Sequence, residues 1–223
     1  MAQAPSHRQP KEPDKRNSNP LGNESNPTTS KISVMETIKL KIVGTSPLMM
    51  HSDKLANPLE PATKAHKELT SKRKKTDDDH QAIARSEFVA GAYWHKNDGF
   101  FIPGPNLDAT FVAGAKLQKL GVHWKRGALV LEDRVKLLHG GPSTPESLWE
   151  SRENVDCRGV KVGAAKIMRY RPIFLSWAAE LTISLNTDVL DLQEAKKAIE
   201  DAGALIGVCE YRPRFGRFGV QYV

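Results

Sequence analysis

Between Ile173 and Leu185 every second residue is apolar: Ile173, Leu175, Trp177, Ala179, Leu181, Ile183 and Leu185 alternate with residues that include Ser176, Glu180, Thr182 and Ser184. Side chains alternate across a strand, so this period predicts a long strand with one buried and one wet face. A sheet built on it needs a covering layer on one side only. Ile38, Leu40 and Ile42 repeat the pattern against Thr37, Lys39 and Lys41, predicting a strand over Val34–Val43 that Gly44 and Pro47 close.

Helical spacing supplies the cover. Leu107, Phe111, Ala115 and Leu117 predict a helix over about 106–120, with Asn106 as N-cap and Gly121 as the stop. Leu192, Ala195, Ile199, Ala202 and Leu205-Ile206 predict a second, opened by Asp188 or Asp191. Residues 62–92 read as mainly helical, with Lys72-Arg73-Lys74-Lys75 meeting Asp77-Asp78-Asp79 in a solvated face or loop. Shorter strands are expected at about 99–102, within 128–138, and at about 206–211 and 217–222. The order β-α-β, excursion, β-α-β predicts an α+β chain: a ferredoxin-like or RRM-like split βαβ sheet with helices on one face.

Residues 1–33 read as a disordered tail, because Pro5, Pro10, Pro13, Pro20 and Pro27 interrupt a stretch with almost nothing to bury. A single domain is expected over 34–223, with 139–165, around Gly140-Gly141-Pro142, as a flexible excursion.

The formal charge is +7. In the tail, bases outnumber acids by only two, so most of that surplus belongs to the domain. A basic domain favours polyanionic partners. No apolar run approaches a membrane span or a signal peptide, and Cys157 and Cys209 have no metal-ligand spacing. These features predict a cytoplasmic chain with no cofactor, no metal and no small-molecule substrate.

The basic residues fall into two segments. In Gly207–Gly219, Arg212, Arg214 and Arg217 interleave with Tyr211 and Phe215. Guanidinium groups fork onto phosphates and aromatic faces stack on unpaired bases. Arg158, Lys161, Lys166, Arg169 and Arg171 form the second segment, inside the excursion and entering the best strand. Both also suit a solubilised edge or an exposed loop. His51, His66, His80, His95, His123 and His139 show no ligand spacing, and no phosphate loop of the G-x-x-x-x-G-K-S/T kind is present. No catalytic set is therefore assigned, although His51, after Leu48-Met49-Met50, is the position from which a general base for RNA cleavage would act.

Three stretches carry a family resemblance. Val43-Gly44-Thr45-Ser46-Pro47-Leu48-Met49 resembles the opening of the RAMP superfamily, the repeat-associated mysterious proteins that form the backbone of CRISPR effector complexes. Phe101-Ile102-Pro103-Gly104-Pro105-Asn106-Leu107-Asp108-Ala109 resembles their strand-to-helix step, with Asp108 where a lysine is usual. Arg212-Pro213-Arg214-Phe215-Gly216-Arg217-Phe218-Gly219 is similar to their C-terminal glycine-rich segment. The resemblance implies a ferredoxin-like fold that holds single-stranded RNA or DNA and self-associates along it, in a CRISPR complex or as a stand-alone viral or mobile-element relative. The leading expectation is a non-catalytic single-strand binder. A metal-independent endoribonuclease of RAMP type and an assembly protein with an acidic protein partner stay open beside it.

Overall fold

Strand β1 (Met35–Gly44) buries Ile38, Leu40 and Ile42 and leaves Thr37 and Lys39 in water, as its period-two pattern requires. The structure, a computed structural model, describes residues 34–223, so the tail expected over 1–33 lies outside the described residues. β1 pairs antiparallel on one side with β9 (Ala178–Asn186), from Met35 opposite Asn186 to Val43 opposite Ala178. On its other side it pairs antiparallel with β10 (Phe218–Tyr222), from Leu40 opposite Tyr222 to Gly44 opposite Phe218.

The free side of β9 receives β5 (Ala128–Val130) and then β6 (Arg134–Leu138). The ladder breaks between them, and Glu132 repairs it: Thr182 N–H donates to Glu132 Oε2 at 2.9 Å. β6 pairs with β4 (Gly99–Pro103), and β4 with β3 (Trp94–His95), completing the order β10-β1-β9-β6-β4-β3 with β5 also on β9. The fold is thus α+β, with a mostly antiparallel main sheet.

Helices α3 (Gly104–Leu117) and α6 (Leu192–Asp201) bring Leu107, Phe111, Ala115, Ala195, Ala198 and Ile199 to the apolar face of this sheet. At an area-based gain of about 25 cal/mol per Å2, burying such side chains is what holds the two layers together. Asp108 ties α3 to the sheet by accepting from Val130 N–H at 3.0 Å. That is a structural use of the position where the resemblance places a lysine.

A second, three-stranded sheet runs β2 (Leu48–Met49), β8 (Ala165–Phe174), β7 (Val155–Val162). It corrects the long strand expected over 173–185. The chain leaves β8 at Phe174, exposes Leu175, and enters the other sheet at Ala178. Trp177 anchors the crossing: its indole N–H donates to the Ser46 carbonyl at 2.8 Å, and its own carbonyl accepts from Gly44 N–H at 2.9 Å. The alternation runs on in the sequence only: Ile173 and Trp177 are buried, but Leu175 lies exposed in the bend between the two sheets.

Other boundaries also differ. The mainly helical stretch expected over 62–92 is two helices, α1 (Pro61–Thr70) and α2 (Asp77–Ala90), with the charged middle split between the connection and the first turn of α2, where Thr76 and Asp79 close a reciprocal capping box. Asp79 also pairs with Lys72, and these bonds pull its carboxyl down to about 2. Helix α3 starts at Gly104, so Asn106 lies inside it rather than capping it. Gly121 opens α4 (Gly121–Gly127) instead of ending α3, and Lys119 takes the left-handed conformation there. Residues 202–206 form a π turn and 207–217 a bent loop, replacing the strand expected at 206–211. The segment 139–165 holds α5 (Pro145–Ser151) and β7. Among the described residues no helix is long and apolar enough to cross a membrane.

Candidate nucleic-acid interface

Strands β7 and β8 form a hairpin whose two-residue turn is Gly163–Ala164, since Val162 pairs with Ala165. Gly163 takes φ +59, the left-handed value a tight hairpin turn asks of its first residue and glycine supplies without strain. The pleat places Asp156, Arg158, Arg169 and Arg171 on one face, and Lys161, Lys166 and Tyr170 on the other.

The base of the hairpin rests on helices. Trp149 of α5 lies between Phe88 of α2 and Tyr170, with ring centroids 5.3 and 6.0 Å away. Buried Glu87 of α2 pairs with Arg169 and accepts from the Tyr170 N–H at 3.2 Å. Beyond this base the turn, its flanking lysines, Val162 and Met168 are exposed.

The loop 207–217 is tied to the segment after β1. Gly216 N–H donates to the Pro47 carbonyl at 2.8 Å, Glu210 N–H to the Met49 carbonyl at 3.1 Å, and Arg217 N–H to Ser46 Oγ at 3.0 Å. Gly216 sits at φ +74, and a Cβ there would collide with the Val208 carbonyl. These bonds lay the loop against β2, and β2 pairs with β8, so the arginine loop meets the hairpin.

The meeting point is Arg158. Its guanidinium lies 4.8 Å from the Tyr211 ring centre and 5.0 Å from that of Phe215, and its charge is paired with Asp156. Those contacts favour the charged form and raise its pKa, the Asp156 bond most of all. Arg214 approaches Phe215 at 5.9 Å. The two segments expected to bind nucleic acid are therefore one surface, at Arg158, Arg169, Arg171, Tyr211, Arg214 and Phe215.

The individual roles differ from the expectation of open rails and platforms. Phe215 is only 9% exposed, packing on Met49 and Ile173 beneath the guanidinium groups, so its face is already used. Tyr211 remains 42% exposed. Arg171 is buried, with Glu210 3.9 Å away. Arg212 and Arg214 are exposed, while Arg217 folds back to donate from Nε to the Pro213 carbonyl at 2.7 Å. Lys161 and Lys166 stand opposite one another near the turn, on the other face from Arg158.

Two hollows flank the loop, of about 570 and 190 Å3, and share Cys209, Glu210 and Arg212. Burial pushes the Cys209 thiol up to about 12, which makes it a poor nucleophile. His51 follows β2 and comes alongside Arg171, because Met50 N–H donates to the Pro172 carbonyl at 2.9 Å. Burial and the Arg171 charge lower its pKa, so the imidazole is neutral near pH 7.

Sequence reasoning missed Glu210, Glu87 and Asp156, the carboxylates that share this surface with the arginines. Glu210 had a visible signal, as the single acid within Gly207–Gly219. Glu87 had none, since its partner Arg169 is distant in sequence. Among the described residues no cluster of His, Cys, Asp and Glu is arranged to hold a metal ion. No protein-family model matches the chain, and no curated protein matches it.

Proposed function

We propose that this protein is a non-catalytic single-stranded nucleic-acid binding protein that grips the backbone along the seam between the β7–β8 hairpin and the 207–217 loop. One observation carries the reading: Arg158 stacks across Tyr211 and Phe215, joining two basic segments that are far apart in the chain. Exposed Arg212 and Arg214 offer phosphate contacts beside the exposed Tyr211 face, a pairing of charge and stacking suited to unpaired strands. Lys161 and Lys166, near the turn on the other face of the hairpin, would add long-range attraction for the strand rather than contacts in the seam.

The sheet order gives further support. With α3 between β1 and β5–β6, and α6 between β9 and β10, the strands fall in the sequence last, first, third, second, all antiparallel. That arrangement supports a ferredoxin-like split βαβ class, with α1, α2 and the hairpin as insertions, and with it the RAMP-like reading and assembly of copies along a strand. Fold analogy alone does not assign function, so the reading rests on the arginine seam.

The test is fluorescence anisotropy of labelled single-stranded RNA, single-stranded DNA and duplex DNA across a salt series. The reading expects single-strand binding that weakens linearly in log salt. No binding to any of the three at low salt overturns it. Complex formation with an acidic protein that survives nuclease treatment would then assign the basic face to a protein partner.

A further inference from the structure

Three arginines share the inner face of the hairpin, and two of them are matched by carboxylates. Arg158 takes both oxygens of Asp156, and Arg169 takes Glu87. Arg171 is the exception. Its side chain is 8% exposed, and Nε and Nη1 are buried with no hydrogen-bond partner among the described residues. The Glu210 carboxylate is 3.9 Å from Nη2, too far for a hydrogen bond. Asp156 stands opposite Arg171 in the ladder, yet both its oxygens bond Arg158 and neither bonds Arg171. A guanidinium has five donors, and leaving buried donors unmet is costly, so this arrangement is incomplete as a structural ion pair.

We propose that Glu210 is a resident counter-charge, and that a backbone phosphate of the bound single strand displaces it from Arg171. This rests on the single-strand reading above and assigns one phosphate subsite within it. Glu210 is built to be displaced. Its side chain is 38% exposed and lines both hollows beside Arg212, while its backbone N–H is fixed to Met49. The flanking residues Cys209 and Tyr211 both hold left-handed φ values of +63, so the backbone turns sharply on either side of Glu210. A side-chain rotation therefore uncovers Arg171 without moving the loop. Arg171 itself lines neither hollow, so a phosphodiester entering beside Arg212 reaches it through the place the Glu210 carboxylate leaves, and brings an anionic oxygen to Nη2, the nitrogen that Glu210 faces. The neighbouring charges agree: Arg171 and Arg169 bear on His51 from β8, opposed by Glu210 from the loop and Glu87 from α2, and the balance, with burial, keeps the imidazole from adding charge.

The experiment compares wild type, Glu210→Gln, Arg171→Met and the double variant by anisotropy of a labelled single-stranded RNA over a salt series. Glu210→Gln is expected to bind several-fold tighter with the log–log slope unchanged, because the same phosphate is neutralised in both, whereas Arg171→Met should flatten the slope by about 0.7, the value of one phosphate lost on a single strand. In the double variant that gain disappears. If wild type binds but Glu210→Gln leaves the affinity unchanged, or Arg171→Met leaves the slope unchanged, the subsite assignment is wrong and the single-strand reading stands. If neither binds at low salt, the reading itself fails. Should Glu210→Gln not fold, Glu210→Asp, which draws the carboxylate back by one methylene, must show a smaller gain in the same direction. Inorganic phosphate alone raising the unfolding temperature as far as the oligonucleotide, in an Arg171-dependent way, would overturn the strand assignment in favour of a free-phosphate site.

Discussion

The guanidinium of Arg158 lies 4.8 Å from the ring centre of Tyr211, and this contact joins the β7–β8 hairpin to the 207–217 loop. Asp156 pairs with the same guanidinium and so helps hold it near both aromatic rings. Replacing Arg158 by alanine removes this cover and exposes Phe215. A stability loss of about 1 kcal/mol is expected from the cation–π contacts. Urea unfolding measures it, and single-strand affinity should fall in parallel. Arg158→Lys, which lacks the planar fork, should recover only part of either.

Charge reversal at Arg212 and Arg214 together is expected to weaken binding to every single-stranded sequence alike. Both are exposed and make no ion pair among the described residues, so the fold should not change. The salt slope should flatten by about 0.7 for each phosphate that is no longer neutralised. An unchanged slope would remove these two residues from the interface.

Gly216→Ala should be among the more damaging single substitutions in the loop. The new Cβ meets the Val208 carbonyl, and φ +74 is strained for any residue with a side chain. The loss is expected at roughly 1–3 kcal/mol, read as a lower unfolding temperature. Because Gly216 also bonds to Pro47, RNA affinity should fall with it.

Stability should fall as pH drops below about 6.5, before the carboxylates titrate. His51, His66 and His139 all have pKa values lowered from the ordinary 6.5, chiefly by burial. The unfolded chain then binds protons that the folded chain refuses, so stability is fully present above that value and lost below it. His139 is the clearest case. Its Nδ1 accepts from Gly141 N–H at 3.1 Å, and its ring lies edge-on to Phe100 and Phe174. Thermal unfolding from pH 7.5 to 5.5 measures the slope, and His139→Asn should flatten it.

Labelled RNA incubated with excess protein and EDTA is expected to remain intact. A product that forms without metal and disappears in His51→Ala would replace the binding reading with the endoribonuclease one. His51, neutral beside Arg171, is the residue on which that outcome would turn.

The alternation of Ile38, Leu40 and Ile42, and of Leu181, Ile183 and Leu185, was enough to place β1 and β9, because a one-residue slip in either would turn its apolar set to water. Helices α3 and α6 were equally legible from their apolar spacing. The break at Leu175–Trp177 was not. It depends on the Trp177 indole reaching Ser46, a partner from the far end of the chain that leaves no trace in local periodicity.

The site divides in the same way. Arg212, Arg214, Arg158 and Arg169 stand out as basic residues because composition is local. What each one does was decided by its neighbours: Phe215 was spent on Met49 and Ile173, Arg169 on Glu87, and Arg158 on two rings and Asp156. The strand and helix periods and the charge of the two segments can be read from short windows of residues. That these segments meet at Arg158, and that Arg171 is buried without a full partner, follows from the packing of β2, β8 and the 207–217 loop. Local patterns set backbone geometry and polarity, whereas burial and pairing come from long-range contacts that no short window of sequence contains.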